Sequence, residues 1–473
     1  MRLSVVSLVC LGLATGPALS QETGTKQYED GGVYTGTFKE GKRHGQGIFT
    51  LPNGYEYSGN WVNGEVSGQG TARFPDGSFY EGQFKDGKPN GFGKIIYADG
   101  GTYEGDWVDS KITGRGIAVY AQGVRYEGEF LNGQHHGIGV MVNPNGYRYE
   151  GQWAGGVKEG RGKITYADGA TYDGDMAAGM RHGKGRLEMP DGTTYEGDWV
   201  AGQMEGEGVR RSGNGDVYTG SLKAGAREGQ GRLEFANGDI YEGGFKADQR
   251  HGQGSSQLAD GFSYVGQWVN GRVEGEGTVT YPDGSVYVGQ LRDDLADGAG
   301  KITYPSGATY EGDWTKGVIE GKGVATYPSG VRYEGAFRDG RNEGQGTMTF
   351  PDGKVYTGEW LAGEKHGQGK TTFPNGMVYE GAFAKGKREG VGTLTTTTGF
   401  SYTGMWRDGQ MEGEGVATYD TGDVYEGAFK AGQRSGKGVL TYANGEVASG
   451  VWSEGLLIEP DAGPVETETA PEN

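Results

Sequence analysis

Hydrophobic and polar residues in this chain follow one short pattern, repeated without slippage. From Tyr34 to Tyr425 a tyrosine recurs every 23 residues, which makes eighteen registers, and a worn nineteenth carries Ala448 in the tyrosine place. With the tyrosine as position 1, glycine fills position 3 and an aromatic residue usually fills position 5, as in Phe38, Trp61, Phe84 and Trp107. Side chains two apart share one face of a strand, so positions 1, 3 and 5 predict a strand with an aromatic face. A glycine-marked turn follows. The return segment has glycine at positions 12 and 14, often an apolar residue at 16 and usually an aromatic or apolar one at 18. A second turn then uses triplets such as Pro75-Asp76-Gly77 and Pro374-Asn375-Gly376, whose residues tolerate positive φ. Each repeat therefore reads as a β-hairpin joined by a turn to the next, and this glycine density excludes helix.

Pairing position 5 with 12 puts 3 opposite 14 and 1 opposite 16. The expected sheet then has an aromatic row, a middle row of glycine, and a tyrosine row alternating with mainly aliphatic residues. Rings can lean over the glycines, which offer no side chain against them. The other face is polar, since the residue after the tyrosine is acidic in eleven of eighteen registers. The pattern Y-x-G-x-[WF]-x-x-G-x-x-x-G-x-G resembles the MORN (membrane occupation and recognition nexus) repeat over nearly the whole chain. That resemblance implies an all-β, elongated single-layer twisted antiparallel sheet of tandem hairpins, a solenoid-like rod. Two strands per repeat at about 4.8 Å spacing give roughly 170 Å before twist. Met176, Leu222 and Leu291 depart from the aromatic column, and Ser110, Asp248 and Asp294 from the first-turn glycine.

Composition changes the picture mainly at the ends. Residues 1–20 read as a secretory signal, with Arg2, an apolar run and small residues before Gln21. The single cysteine, Cys10, lies inside it, so the mature chain is expected to have no disulfide, thiol catalyst or cysteine metal site. Residues 21–30 read as a polar lead-in, 31–455 as the array, and 456–473 as an acidic disordered tail. Export to a bacterial periplasm, envelope or exterior is the expected destination. All nine tryptophans occupy position 5, spaced 46 residues apart except for one step of 69 between Trp199 and Trp268. A nine-repeat duplication, 34–240 onto 241–447, accounts for the break.

A net charge of −19 argues against nucleic acid as a partner. No catalytic constellation stands apart from the repeat, and histidines at 44, 136, 182, 251 and 366 lie too far apart to share a metal. Glu364–Thr371 nearly matches a phosphate loop but sits in a hairpin. No enzyme activity and no cofactor are expected. The leading expectation is an exported scaffold that binds protein or a second copy of itself. Its candidate surface is the tryptophan row: Trp61, Trp107, Trp153, Trp199, Trp268, Trp314, Trp360 and Trp406. The alternative is binding to anionic lipid through basic hairpin tips at position 10, namely Arg43, Arg181, Arg250 and Arg388.

Overall fold

The computed structural model describes residues 22–461, and every regular element in them is a β-strand. Residues 1–20, read from sequence as a secretory signal with Cys10, and residues 462–473 of the expected acidic tail lie outside the described residues. Strand β1 (Glu22–Gln27) precedes β2 (Val33–Lys39) and β3 (Lys42–Thr50), the first hairpin. Strands of seven and nine residues then alternate as far as β38 (Val447–Ser453) and the short β39 (Leu456–Pro460). The chain divides into two compact units, Met1–Arg227 and Glu228–Asn473. Within each unit a strand pairs antiparallel with the strands before and after it in the chain, and among the described residues no second layer covers the sheet.

The ends differ from the sequence expectation. Glu22–Gln27, read as a lead-in, pairs along its whole length with Val33–Phe38. Leu456–Pro460, assigned to the tail, pairs with Gly450–Ser453. Glu22–Gln27 keeps one trace of the repeat, Gly24, which faces Gly36 as Gly47 faces Gly59, and Leu456–Pro460 keeps no repeat glycine.

The first turn of each hairpin has two consecutive residues at positive φ, as in Glu40 (51°) and Gly41 (76°), the twist that suits a two-residue hairpin loop. Ser110 and Asp294 adopt the same geometry at 66° and 68° without glycine. The carboxylate at position 11 often supports the next turn: Glu205 Oε2 accepts from Ala224 N at 2.9 Å and Glu412 Oε2 from Ala431 N at 2.9 Å. This uses part of the chain's acidic excess.

Between repeats the register is the expected one: Gly45 faces Trp61, Gly47 faces Gly59, and Phe49 faces Tyr57. Within a hairpin it holds only halfway. Tyr34 faces Phe49 and Gly36 faces Gly47, but Phe38 faces Arg43 at position 10 rather than the glycine at 12. A bulge intervenes, and the position-12 glycine takes a left-handed φ to make it (71° at Gly45, 77° at Gly68).

Within each unit the core is a run of packed rings, with Met176, Leu222 and Leu291 in ring places. Tyr57 is fully buried and meets Trp61 of its own repeat edge-on at 5.4 Å and Phe84 of the next at 5.0 Å. Such pairs add about 0.5–1.5 kcal/mol each beyond area burial. Its hydroxyl donates to the position-4 carbonyl, Asn60 O, at 3.0 Å, beside the bulge. The same bond recurs at Tyr80, Tyr103 and Tyr241. Burial pushes the Tyr80 hydroxyl up to about 12, so it remains a neutral donor.

Candidate functional site

The eight tryptophans expected to form an open surface are 2–8 % exposed. Their indole Nε1 atoms donate to glycine carbonyls of the preceding repeat, Trp61 to Gly47 at 3.2 Å and Trp199 to Gly185 at 3.0 Å. Over four of them closes position 10, the column read as basic tips. Arg43, Arg181, Arg250 and Arg388 each lay Cζ 4.0–4.1 Å from the centre of the next repeat's indole, on Trp61, Trp199, Trp268 and Trp406. Each also donates through Nη2 to a carbonyl in the next hairpin turn: Gly64, Gly202, Gly271 and Gly409, at 2.9, 2.8, 3.1 and 2.6 Å. All four are partly buried. Burial pushes the Arg388 guanidinium down. Within each unit the two columns proposed separately from sequence, one for protein and one for lipid, pack against each other. A single-layer sheet exposes its apolar face only if no side chain folds over it; here long tip residues do.

The opposite face carries positions 2, 4, 13 and 15, and shallow grooves run across it. One of about 450 Å³ in the first unit is lined by Phe92, Arg115, Ile117, Ile138 and Val140 beside Glu104 and Glu127. In the second unit a groove of about 910 Å³ crosses seven strands, from Glu276 to Gln345. Glycines of positions 3 and 14, such as Gly105, Gly116, Gly300 and Gly312, form the floors and bring backbone close to any occupant. Charges on this face are largely matched across strands: Lys94 with Glu104 at 3.4 Å, Arg161 with Asp173 at 3.1 Å, Lys301 with Glu311 at 3.3 Å and Lys370 with Glu380 at 3.2 Å. Such exposed pairs contribute about 0–1 kcal/mol each. They leave the apolar members standing out. Phe92 is 55 % exposed, Ile138 54 % and Val391 62 %, with Val391 directly opposite Met405. These residues were missed because the repeat draws attention to positions 1, 3 and 5. The signal was present as apolar residues at position 13, which strand alternation places on the polar side.

Among the described residues no cluster of three or more His, Cys, Asp or Glu could hold a metal ion. A model of the MORN repeat matches the chain eighteen times, in consecutive segments from 34–54 to 425–447. The chain belongs to the MORN repeat family. Several solved structures are similar to parts of this MORN chain. The TCP domain of SAS-4 (dCPAP) of Drosophila melanogaster, in complex with a proline-rich motif of Ana2, is 13 % identical. The match covers 46 % of this chain and 99 % of that one, with a TM-score of 0.21. The TCP10 domain of Danio rerio CPAP, in complex with a STIL peptide, is 17 % identical over 54 % of this chain and 92 % of its own, with a TM-score of 0.16. A virginiamycin B lyase from Staphylococcus aureus is 11 % identical over 63 % and 97 %, with a TM-score of 0.12.

Proposed function

We propose that this MORN array is an exported, non-catalytic scaffold that binds protein along the grooved face opposite its ring seam. The observation that carries the reading is a pair of exposed apolar side chains in the first unit, Phe92 and Ile138, lining one glycine-floored groove beside the Lys94–Glu104 pair; in the second unit Val391 and Met405 face each other on neighbouring strands. Isolated exposed apolar residues need no explanation, but two in one groove beside accessible backbone suit a protein surface. Such a face can receive another protein or a second copy of the chain. The lipid reading loses its named cations, because Arg43, Arg181, Arg250 and Arg388 are engaged with indoles and carbonyls.

The test places a photo-crosslinking side chain at Phe92 or Val391 in the full chain, in its native compartment. Cross-linked protein, either a partner or a dimer, is the expected product, and an added Ile138→Glu should abolish it at Phe92. Absence of protein adducts, together with cosedimentation on phosphatidylserine vesicles at physiological salt, would overturn the reading in favour of lipid.

A further inference from the structure

The position-10 seats that face a tryptophan are built to one plan: five of the nine hold arginine, and Pro89, His135, Ala296 and Asn342 take its place in the others. Arg43 lies between Tyr28 (5.4 Å), Phe49 (4.9 Å) and Trp61 (4.1 Å), and donates to Gly64 O. Arg434 repeats the arrangement on Trp452, at 4.3 Å, and donates to Gly455 O at 2.7 Å. A shift of 46 residues from Arg43 reaches Pro89, and the surroundings shift with it: Phe74 for Tyr28, Tyr80 for Tyr34, Ile95 for Phe49, Trp107 for Trp61 and Ser110 for Gly64. The backbone of the seat is unchanged. Ser110 N donates to Pro89 O at 2.9 Å, as Gly64 N donates to Arg43 O at 2.9 Å. Proline cannot reach across the indole as arginine does. A cavity of about 380 Å³ opens there, walled by Phe74, Tyr80, Ile95, Tyr97 and Trp107, with Asp76 and Ser110 at its polar side.

We propose that this vacated seat binds an arginine side chain offered by a protein partner. A flat cation is drawn to the aromatic walls of this cavity, Phe74, Tyr80, Tyr97 and Trp107. The Ser110 carbonyl stands where Gly64 O receives the Arg43 N–H, so a guanidinium gains a hydrogen bond that a quaternary ammonium cannot make. Asp76 supplies the matching charge: its Oδ1 accepts from Ser78 N at 2.9 Å, and the bonds from Ser78 hold the carboxyl below its usual range. The seat lies on the ring face and needs none of the grooves opposite, so it stands whether or not the grooved face binds protein.

The probe is N-acetylarginine methylamide added to the full-length chain labelled with fluorotryptophan, with the Trp107 resonance followed by fluorine NMR. A saturable shift at Trp107 is expected, and the neutral citrulline analogue should bind at least about tenfold more weakly. Pro89→Arg fills the seat from within and should abolish the response, whereas Pro89→Ala leaves it open and should retain it. Three outcomes would each overturn the proposal: no saturable shift in the parent chain, equal binding of the citrulline analogue, or undiminished binding by a folded Pro89→Arg variant.

Discussion

His135 occupies the position that arginine takes in other repeats, and it fills the seat by different means. Its ring stacks on Tyr126 at 3.7 Å and 15°, meets Trp153 edge-on at 4.9 Å, and places Nε2 2.7 Å from the Tyr120 hydroxyl. Burial pushes its pKa down to about 4. A neutral imidazole fits the ring stack; an imidazolium there would give up its hydration. The folded state therefore holds the neutral form to lower pH than the unfolded chain, whose histidine titrates near 6.5. Its stabilising contribution is complete above about pH 6.5 and is lost as pH falls towards 4, where the folded state also protonates. Thermal melts across that window should fall more steeply for the parent chain than for His135→Asn, a residue type the same column accepts at Asn342. Parallel pH profiles would show that His135 is not the responsible group.

At the scale of the hairpin, two glycines that look alike in every repeat do unlike work. Gly252, at position 12, has φ of 74° and open space around a notional Cβ; its role is the left-handed turn of the bulge. Gly254, at position 14, lies under Tyr241, where a Cβ would fall 2.5 Å from the phenolic oxygen. Gly252→Ala should therefore cost only the backbone strain, about 1 kcal/mol. Gly254→Ala must displace a fully buried ring and its 2.9 Å bond to Gly244 O, at about 3 kcal/mol. Denaturant midpoints of the two variants check the order; equal or reversed losses would contradict the assigned roles. The bulge also explains why position 10 meets position 5 inside a hairpin, which brings the tip residues onto the ring seam.

For the whole molecule, the repeat makes length a modular quantity. Each hairpin is stabilised chiefly by the hairpins beside it, so removing one complete period leaves every surviving contact type intact. Deleting Tyr310–Arg332 joins Thr309 to Tyr333 in phase and should leave the strand signal per residue unchanged, with a melting temperature within a few degrees of the parent. Deleting only residues 310–320 removes one strand with its turn and breaks the alternation of position-5 and position-12 rows. It should lower the melting temperature far more. Circular dichroism melts of both deletions decide the matter, and equal tolerance would mean that pairing is not set by the 23-residue phase.

The strands, the turns, the faces and the family were legible in the residues themselves, because alternation and a strict period are local properties. Tyr57, Gly59 and Trp61 announce a strand face wherever they are placed. What tertiary structure alone decided lies across the joints between repeats. Arg43 reads as a basic tip until it is seen lying on Trp61, eighteen residues away. Gly45 and Gly47 read as one motif until the bulge separates them. Glu22–Gln27 carries only Gly24 of the signature and Leu456–Pro460 none, and both become strands because a neighbour offers unpaired backbone. Pro89 is an ordinary substitution in the sequence, and an open seat only when the cavity beside Trp107 is in view. Register between neighbours determines which long side chain reaches which ring, and that information belongs to the pair of repeats rather than to either one.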